Sequence, residues 1–490
     1  MSSSVNQKDD SSSLDQPEVT PSSAGWMSLQ YQHGFGNEFE TEAVKGALPV
    51  GRNNPRLVPF GLYCEQLSGT AFTRPRHVNQ RAWLYRQQPS VIANTCGKFL
   101  PTHQGFGISN MEETGILDPN PLRWKPFESD NLDTETSKGS WKDKDFVTGT
   151  HLLGRSGHPA TKSGLGIYIY AFGQNMTDKH MVNSDGDLLL LPQQHSLYIT
   201  TELGKLSVLP GDIAVIPRGI VFSVATSCSE TDITAESSSS PSSSVTRGYM
   251  LEIYKGHFVL PNLGPIGSNG LANPRDFEYP VAWYDTTPRP KEHTLVNKFG
   301  SQLWTKTLDR SYTPYNVVAW HGNYAPYRYS LSRFCACMSV TYDHLDPSIY
   351  TVLTAMGDEE GTALCDFVIF PPRYMATDPN TFRPPWFHRN VMTEFMGLLY
   401  GQYDAKSGEG FQPGGASLHS CMTPHGPDTQ TYHKAVQDPC DVPTKFEKGL
   451  AFMFETNHML SLTRYALEQA SVDQSYSDCW KGLENEFIHS

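Results

Sequence analysis

"GKLSVLPGDIAVIPRGIVFSV", residues 204–224, sets short runs of aliphatic and β-branched side chains between Gly, Pro and Asp. Those runs suit a pleated, half-buried surface, and the Pro-Gly-Asp and Pro-Arg-Gly steps punctuate them as turns. "GDLLLLPQ" (186–193) and "HSLYITTE" (195–202) just upstream repeat the pattern. Turn signals therefore recur at intervals of about 7 to 10 residues, with weak helical periodicity, which predicts an antiparallel sandwich or barrel.

The rest of the chain agrees with a β-rich reading. Its 490 residues exceed one ordinary core and point to more than one domain. A hydrophobic share of 38% with 18% charged residues describes a globular protein, and 35 prolines with 40 glycines favour short strands and loops. A net charge of −13, with no Lys/Arg stripe, argues against nucleic acid as a partner. The nine cysteines are scattered, with Cys335 and Cys337 the one close pair, so neither a disulfide framework nor a CxxC zinc site is expected. No apolar run is long enough for a membrane span, and the N-terminus carries no apolar signal segment, which makes a cytoplasmic location the expectation.

Two Ser-rich segments cannot repay the entropy of ordering: a tail over residues 1–27, and "TSCSETDITAESSSSPSSSV" at 226–245. The second interrupts "RGIVFSVA" and "RGYMLEIYKGHFVL", read as neighbouring strands of one sheet, so it is expected to mark a hairpin end. Within the opening stretch, "LPGDIAVIPRG" resembles the second motif of the cupin family, where Pro-x-Gly precedes a histidine ligand. Pro217 and Gly219 fit, but Phe222 stands at the ligand position. The resemblance implies a degenerate barrel without a metal in this half.

Chemistry is signalled further on, in "PPWFHRNVMTEFMGL", residues 384–398. On a helix, His388 and Glu394 would diverge by about 120°, whereas on a strand they share a face. Pro384 and Pro385 disfavour a helix start, and Phe387, Val391 and Phe395 suit a strand. A Gly-rich loop (Gly401, Gly408, Gly410, Gly414, Gly415) then leads into "GFQPGGASLHSCMTPHGPD", residues 410–428. Returning antiparallel, that segment would present His419 or His425 beside His388 and Glu394. Two histidines and one carboxylate form the set with which non-haem ferrous oxygenases hold iron and leave positions open, although the same donors also hold catalytic zinc.

Longer motifs carry a family resemblance. "GFGNEF" (34–39), "LYCEQLSGTAFTRPR" (62–76), "LGPIGSNGLANPRDF" (263–277), "NVVAWHGNYAPYRY" (316–329), "DHLDPSIYTVLTA" (343–355), "TFRPPWFHRNVMTEFMGL" (381–398) and "PGGASLHSCMTPHGPD" (413–428) occur in order through most of the chain. In these stretches it resembles the homogentisate 1,2-dioxygenase family. The resemblance implies a mainly β, two-domain bicupin-like fold: residues 28–333 as an N-terminal domain with a degenerate barrel, and 334–485 as a C-terminal cupin-like catalytic domain. It implies Fe(II) held by His388, Glu394 and His425, with His344 as acid/base toward the substrate phenol, Tyr403 and His425 contacting substrate, and His419 either standing behind the ligands or touching the substrate. It also implies that homogentisate and O2 become 4-maleylacetoacetate in tyrosine and phenylalanine catabolism, and that the protein assembles as a hexamer, a dimer of trimers. Rival readings are another cupin enzyme using Mn or Zn, and a non-enzymatic bicupin.

Other residues have plainer readings. The tyrosines of "HGNYAPYRY" (321–329) read as core packing, and Arg383 as either a partner for the substrate's acetate arm or a structural ion pair. His33, His77, His103 and His458 read as ordinary surface or core histidines.

Overall fold

The computed structural model of the chain describes residues 26–106, 115–126, 140–226, 245–262, 270–286, 292–336, 350–375, 377–403, 405–406, 411–469 and 471–488. The expectations for His344, for Cys337, for the first 25 residues and for nearly all of the Ser-rich segment at 226–245 lie outside them. Among the described residues strands dominate, and the α-helices Thr429–Gln437 and Arg464–Glu468 are short.

The opening stretch folds into three strands, Gly204–Val208, Asp212–Ile216 and Val221–Ala225. Gly211 (φ +95°) and Gly219 (φ +85°) make the turns between them in the left-handed region where a side chain is disfavoured. Asp212 accepts a hydrogen bond from the Leu209 N–H at 3.1 Å and closes the first turn. Asp212–Ile216 pairs antiparallel with both Asp187–Gln194 and Tyr327–Ser330 inside a nine-stranded sheet. Its two neighbours in sequence belong instead to a seven-stranded sheet, where each pairs with Leu197–Thr201. Leu190 and Ile213 from the first sheet and Ile199, Leu206 and Phe222 from the second join one buried cluster. Alternation of consecutive strands between two sheets is thus what the closely spaced turns produce.

One expectation is corrected here. Val221–Ala225 lies in the seven-stranded sheet, but Thr246–Ile253 pairs with Asp187–Gln194 and Ser163–Phe172 in the nine-stranded one. The Ser-rich segment therefore connects two sheets and does not end a hairpin. An alternating pattern says which face of a strand is buried and not which strand lies beside it.

Phe222, which stands where the cupin-like motif would place a ligand, is fully buried, with its ring centroid 6.2 Å from that of Phe146. The same half buries a charged network. The Lys298 ammonium lies 2.8 Å from Asp185 Oδ2 and 2.9 Å from Glu252 Oε1, with no exposure of the lysine side chain. Tyr168 and Asn183 each donate to Glu252 at 2.7 Å, so the carboxylate is held from several sides.

The second half is organised around an antiparallel sheet in which Tyr350–Met356, Ala363–Phe370, Gly449–Thr456, Thr393–Gly401 and Ala416–His419 lie side by side. Leu122–Trp124 extends it beyond Ala416–His419, while Ser461–Leu462 joins Thr150–His158 in the nine-stranded sheet, so each half lends a strand to the other. On one face Phe395 and Phe452 meet Tyr249, with centroids 6.5 and 4.7 Å away, and Trp124 approaches Phe395 at 6.2 Å. On the other face Val368, Met396, Leu398 and Met453 form a separate cluster. A sheet covered on both faces reads as an apolar run, and against that background a carboxylate on Thr393–Gly401 stands out. The mainly β, antiparallel architecture expected from the turn pattern is the one the chain adopts.

Candidate metal centre

Glu394 points from Thr393–Gly401 to the face that carries Met396 and Leu398. Its cross-strand neighbours are His419 on one side and Glu455 on the other, and Asp366 lies opposite Glu455. Four polar side chains thus form one row across adjacent strands. His388 does not sit on the Glu394 strand, which begins only at Thr393. It arrives through a backbone bridge: the His388 N–H donates to the His425 carbonyl at 3.0 Å, and the His425 N–H returns the bond at 3.1 Å.

This corrects the reading of 384–398 as one strand with His388 and Glu394 on a shared face. Phe387 is 45% and Val391 63% exposed. Asn390 redirects the chain, its side-chain oxygen accepting from Met392 N–H at 2.9 Å and its carbonyl from Met422 N–H at 2.7 Å. A side chain that bonds its own backbone two residues on makes a turn and ends the alternation.

The ligating atoms of His388, Glu394 and His425 lie within 4.8 Å of one another. His425 Nε2 is 3.0 Å from Glu394 Oε2, and His388 Nε2 is 3.7 Å from Oε1. Behind them, His388 Nδ1 meets the Trp386 carbonyl at 2.8 Å and His425 Nδ1 the Thr423 carbonyl at 2.9 Å. A carbonyl only accepts, so both rings carry a proton on Nδ1 and turn Nε2 toward the carboxylate. Two imidazole lone pairs converging on a carboxylate need a cation among them, either protons or a metal ion, and a backbone-anchored Nδ1–H is the usual support of a metal-bound histidine. These donors fit a small divalent ion.

The electrostatics point the same way. Burial opposes ionisation of Glu394, but His388 and His425 beside it outweigh burial and hold its carboxyl well below the usual carboxylate range. His388 is raised above its ordinary value, chiefly by Glu394. Asn390 Nδ2 donates to Glu394 Oε1 at 3.2 Å and to Glu455 Oε1 at 2.9 Å. Burial and the Glu394 charge push the Glu455 carboxyl up to about 7. The row therefore concentrates its anionic charge on the one carboxylate that faces both histidines.

His419 occupies a different place. Its ring stacks on that of His425 with centroids 4.0 Å apart and planes 7° apart, and its Nε2 is 2.7 Å from the Tyr476 hydroxyl. His425 and not His419 belongs to the cluster of converging ligating atoms. Tyr403 packs beside the Val368–Met396 cluster, its ring 5.7 Å from those of Phe370 and Phe411. Arg383 is structural: it donates to Thr444 Oγ1 at 2.6 Å and to the Val442 carbonyl at 2.6 Å, tying down the 438–444 loop. Tyr324, Tyr327 and Tyr329 are buried core residues, as their sequence context suggests. His33, His77 and His103 are exposed, and His458 is half-buried 3.0 Å from Ser156 Oγ.

Sequence reading missed Asn390, Glu455 and Tyr476. A carboxylate inside the apolar run "GLAFMFET" (449–456) was a usable signal for Glu455. Tyr476 gives none, because it comes from a short turn far along the chain.

Two family models cover the chain, described as homogentisate 1,2-dioxygenase N-terminal over residues 30–331 and homogentisate 1,2-dioxygenase C-terminal over 332–487. A homogentisate 1,2-dioxygenase of Dictyostelium discoideum is 50% identical over 460 residues, 94% of this chain and 98% of the relative. That of Homo sapiens is 47% identical over 463 residues, 94% and 97% of the two chains. Among solved structures, a salicylate 1,2-dioxygenase from Pseudaminobacter salicylatoxidans matches 71% of this chain and 86% of its own at 10% identity, with a TM-score of 0.32.

Proposed function

The chain belongs to the homogentisate 1,2-dioxygenase family, and from that premise we propose that His388, Glu394 and His425 hold a ferrous ion at which homogentisate is cleaved. The activity is that of the family: the aromatic ring of homogentisate is opened by O2 to give 4-maleylacetoacetate, a step of tyrosine and phenylalanine catabolism. The observation that carries the iron assignment is the convergence of three ligating atoms within 4.8 Å, both imidazoles anchored through Nδ1.

Bound Fe(II) would supply one centre at which a phenol and dioxygen meet, with coordination positions left open by a three-residue ligand set. The protein's part is positioning and charge. The two backbone carbonyls fix the tautomer and plane of His388 and His425. Asn390 holds one oxygen of Glu394 and leaves the other toward His425. The single carboxylate leaves a ferrous site with residual positive charge, which favours binding the substrate as a phenolate. His344, assigned by family resemblance, would take the phenol proton, a transfer suited to an imidazole near neutral pH. Tyr403 is assigned to the substrate on the same ground.

Asn390→Ala tests the support of the carboxylate. It removes the donor to Glu394 and Glu455 together, and loss of such support typically weakens metal binding about 10- to 100-fold. Anaerobic competition with a ferrous chelator should show that drop with the protein still folded, and an unchanged affinity would mean Asn390 only shapes the turn.

The remaining assignments rest on the family and on simple physics. A trimer-paired hexamer is expected, and sedimentation of the full chain would reveal it. Among the described residues no helix is long and apolar enough to cross a membrane; the cytoplasmic location is a separate proposal. The division into domains at 28–333 and 334–485 follows the resemblance in the same way.

A further inference from the structure

Behind the candidate metal centre, Tyr476 and Lys406 form a chain that ends on His419. Tyr476 stands at the start of the single-turn segment Tyr476–Trp480 and is 2% exposed. Its hydroxyl lies 2.7 Å from His419 Nε2 and accepts a hydrogen bond from the Lys406 ammonium. The Lys406 Nζ also sits 4.2 Å from the centre of the Tyr476 ring and 5.3 Å from that of Trp480, while Arg123 covers Tyr476 at 4.5 Å. The far side of the imidazole is different. His419 Nδ1 is buried, has no hydrogen-bond partner, and faces Glu394 Oε2 across 4.0 Å, too far for a hydrogen bond.

Counting donors decides which nitrogen carries the proton. With Lys406 protonated and donating to the Tyr476 oxygen, a His419 that also donated there from Nε2 would leave the Tyr476 proton buried and idle, and the Nδ1 lone pair with it. If Tyr476 donates to Nε2 while Lys406 donates to the Tyr476 oxygen, the Tyr476 proton and the Nε2 lone pair are both used, and the Nδ1–H that faces the site is left over. Buried donors are rarely orphaned, so the second arrangement is favoured, and its one loose end marks where a ligand belongs. The stacking of His419 on His425 holds that N–H in a fixed direction.

We propose that Lys406 and Tyr476 are positioning residues that lock His419 as its Nδ1–H tautomer, so that it donates a hydrogen bond to the phenolate oxygen of homogentisate bound beside Glu394. This rests on the reading of His388, Glu394 and His425 as the iron site and adds a substrate contact to it.

The test uses geometry that side-chain amides can imitate. An asparagine amide nitrogen can occupy roughly the place of a histidine Nδ1, and a glutamine nitrogen that of Nε2. Full-length parent protein, His419→Asn, His419→Gln and Tyr476→Phe are loaded with Fe(II) without oxygen, their iron content is measured, and homogentisate binding is followed by anaerobic equilibrium dialysis, which needs no turnover. The expected result is full iron loading in all four, homogentisate held by His419→Asn within about threefold of the parent, and binding about tenfold weaker in His419→Gln, as for a lost hydrogen bond to a charged oxygen. Tyr476→Phe should fall between them, because the lock is gone but the ring remains. Equal binding by His419→Asn and His419→Gln would overturn the proposal, and so would loss of iron in the His419 variants, which would assign His419 to the metal. Failure of the parent itself to take up iron would instead defeat the underlying site assignment.

Discussion

His388→Ala is expected to fold as the parent does and to lose iron and ring-cleaving activity together. His388 lies on an irregular segment and is half-buried, so its removal leaves the sheet strands untouched. What goes is one of three ligating atoms in a cluster within 4.8 Å. Because loss of a mere supporting contact costs about 10- to 100-fold in metal affinity, loss of a ligand should cost at least ~100-fold. Iron bound per chain under anaerobic dialysis, read together with homogentisate-dependent O2 consumption, checks this. His344→Ala should behave differently, retaining iron and losing most turnover. Equal iron loss in both would contradict the division of roles between ligand and proton acceptor.

The second large effect concerns stability and lies in the other half of the chain. Lys298→Met removes the cation that, among the described residues, forms ion pairs with both Asp185 and Glu252, all three with side chains at most 5% exposed. Two carboxylates would then be buried together without the ion pair they share. Breaking a buried ion pair from one side costs roughly 3–5 kcal/mol, far more than the loss of the pair's own attraction, because an uncompensated charge is left behind. The apparent thermal midpoint should fall markedly, while the iron content of protein kept folded at low temperature stays that of the parent. A destabilisation below about 1 kcal/mol would mean that water or the protonation of a carboxylate relieves the site.

Much of this was legible in the chain, and the failures share one cause. The turn spacing around 204–224 gave sheets because Gly211 and Gly219 are needed for conformations other residues avoid. Pairing was not legible: nothing local in "RGIVFSVA" and "RGYMLEIYKGHFVL" says that they belong to different sheets, since partner choice is set by contacts distant in sequence. His388 and Glu394 were found for a partly mistaken reason. They converge, but through a backbone bridge to His425 and a turn at Asn390, not through two-residue periodicity. The choice of His425 over His419 came from family resemblance; in the structure His419 Nδ1 stands 4.0 Å from Glu394 Oε2, while its Nε2 meets the Tyr476 hydroxyl. That contact joins residues 57 positions apart, beyond the reach of any local pattern.

The most direct test of the central claim is O2 uptake by full-length protein reconstituted anaerobically with Fe(II) and given homogentisate, beside a Zn(II)-loaded control. The account predicts about one O2 consumed per homogentisate with iron and none with zinc, as expected where the metal must engage dioxygen. Iron bound at His388, Glu394 and His425 with no homogentisate-dependent uptake would contradict it.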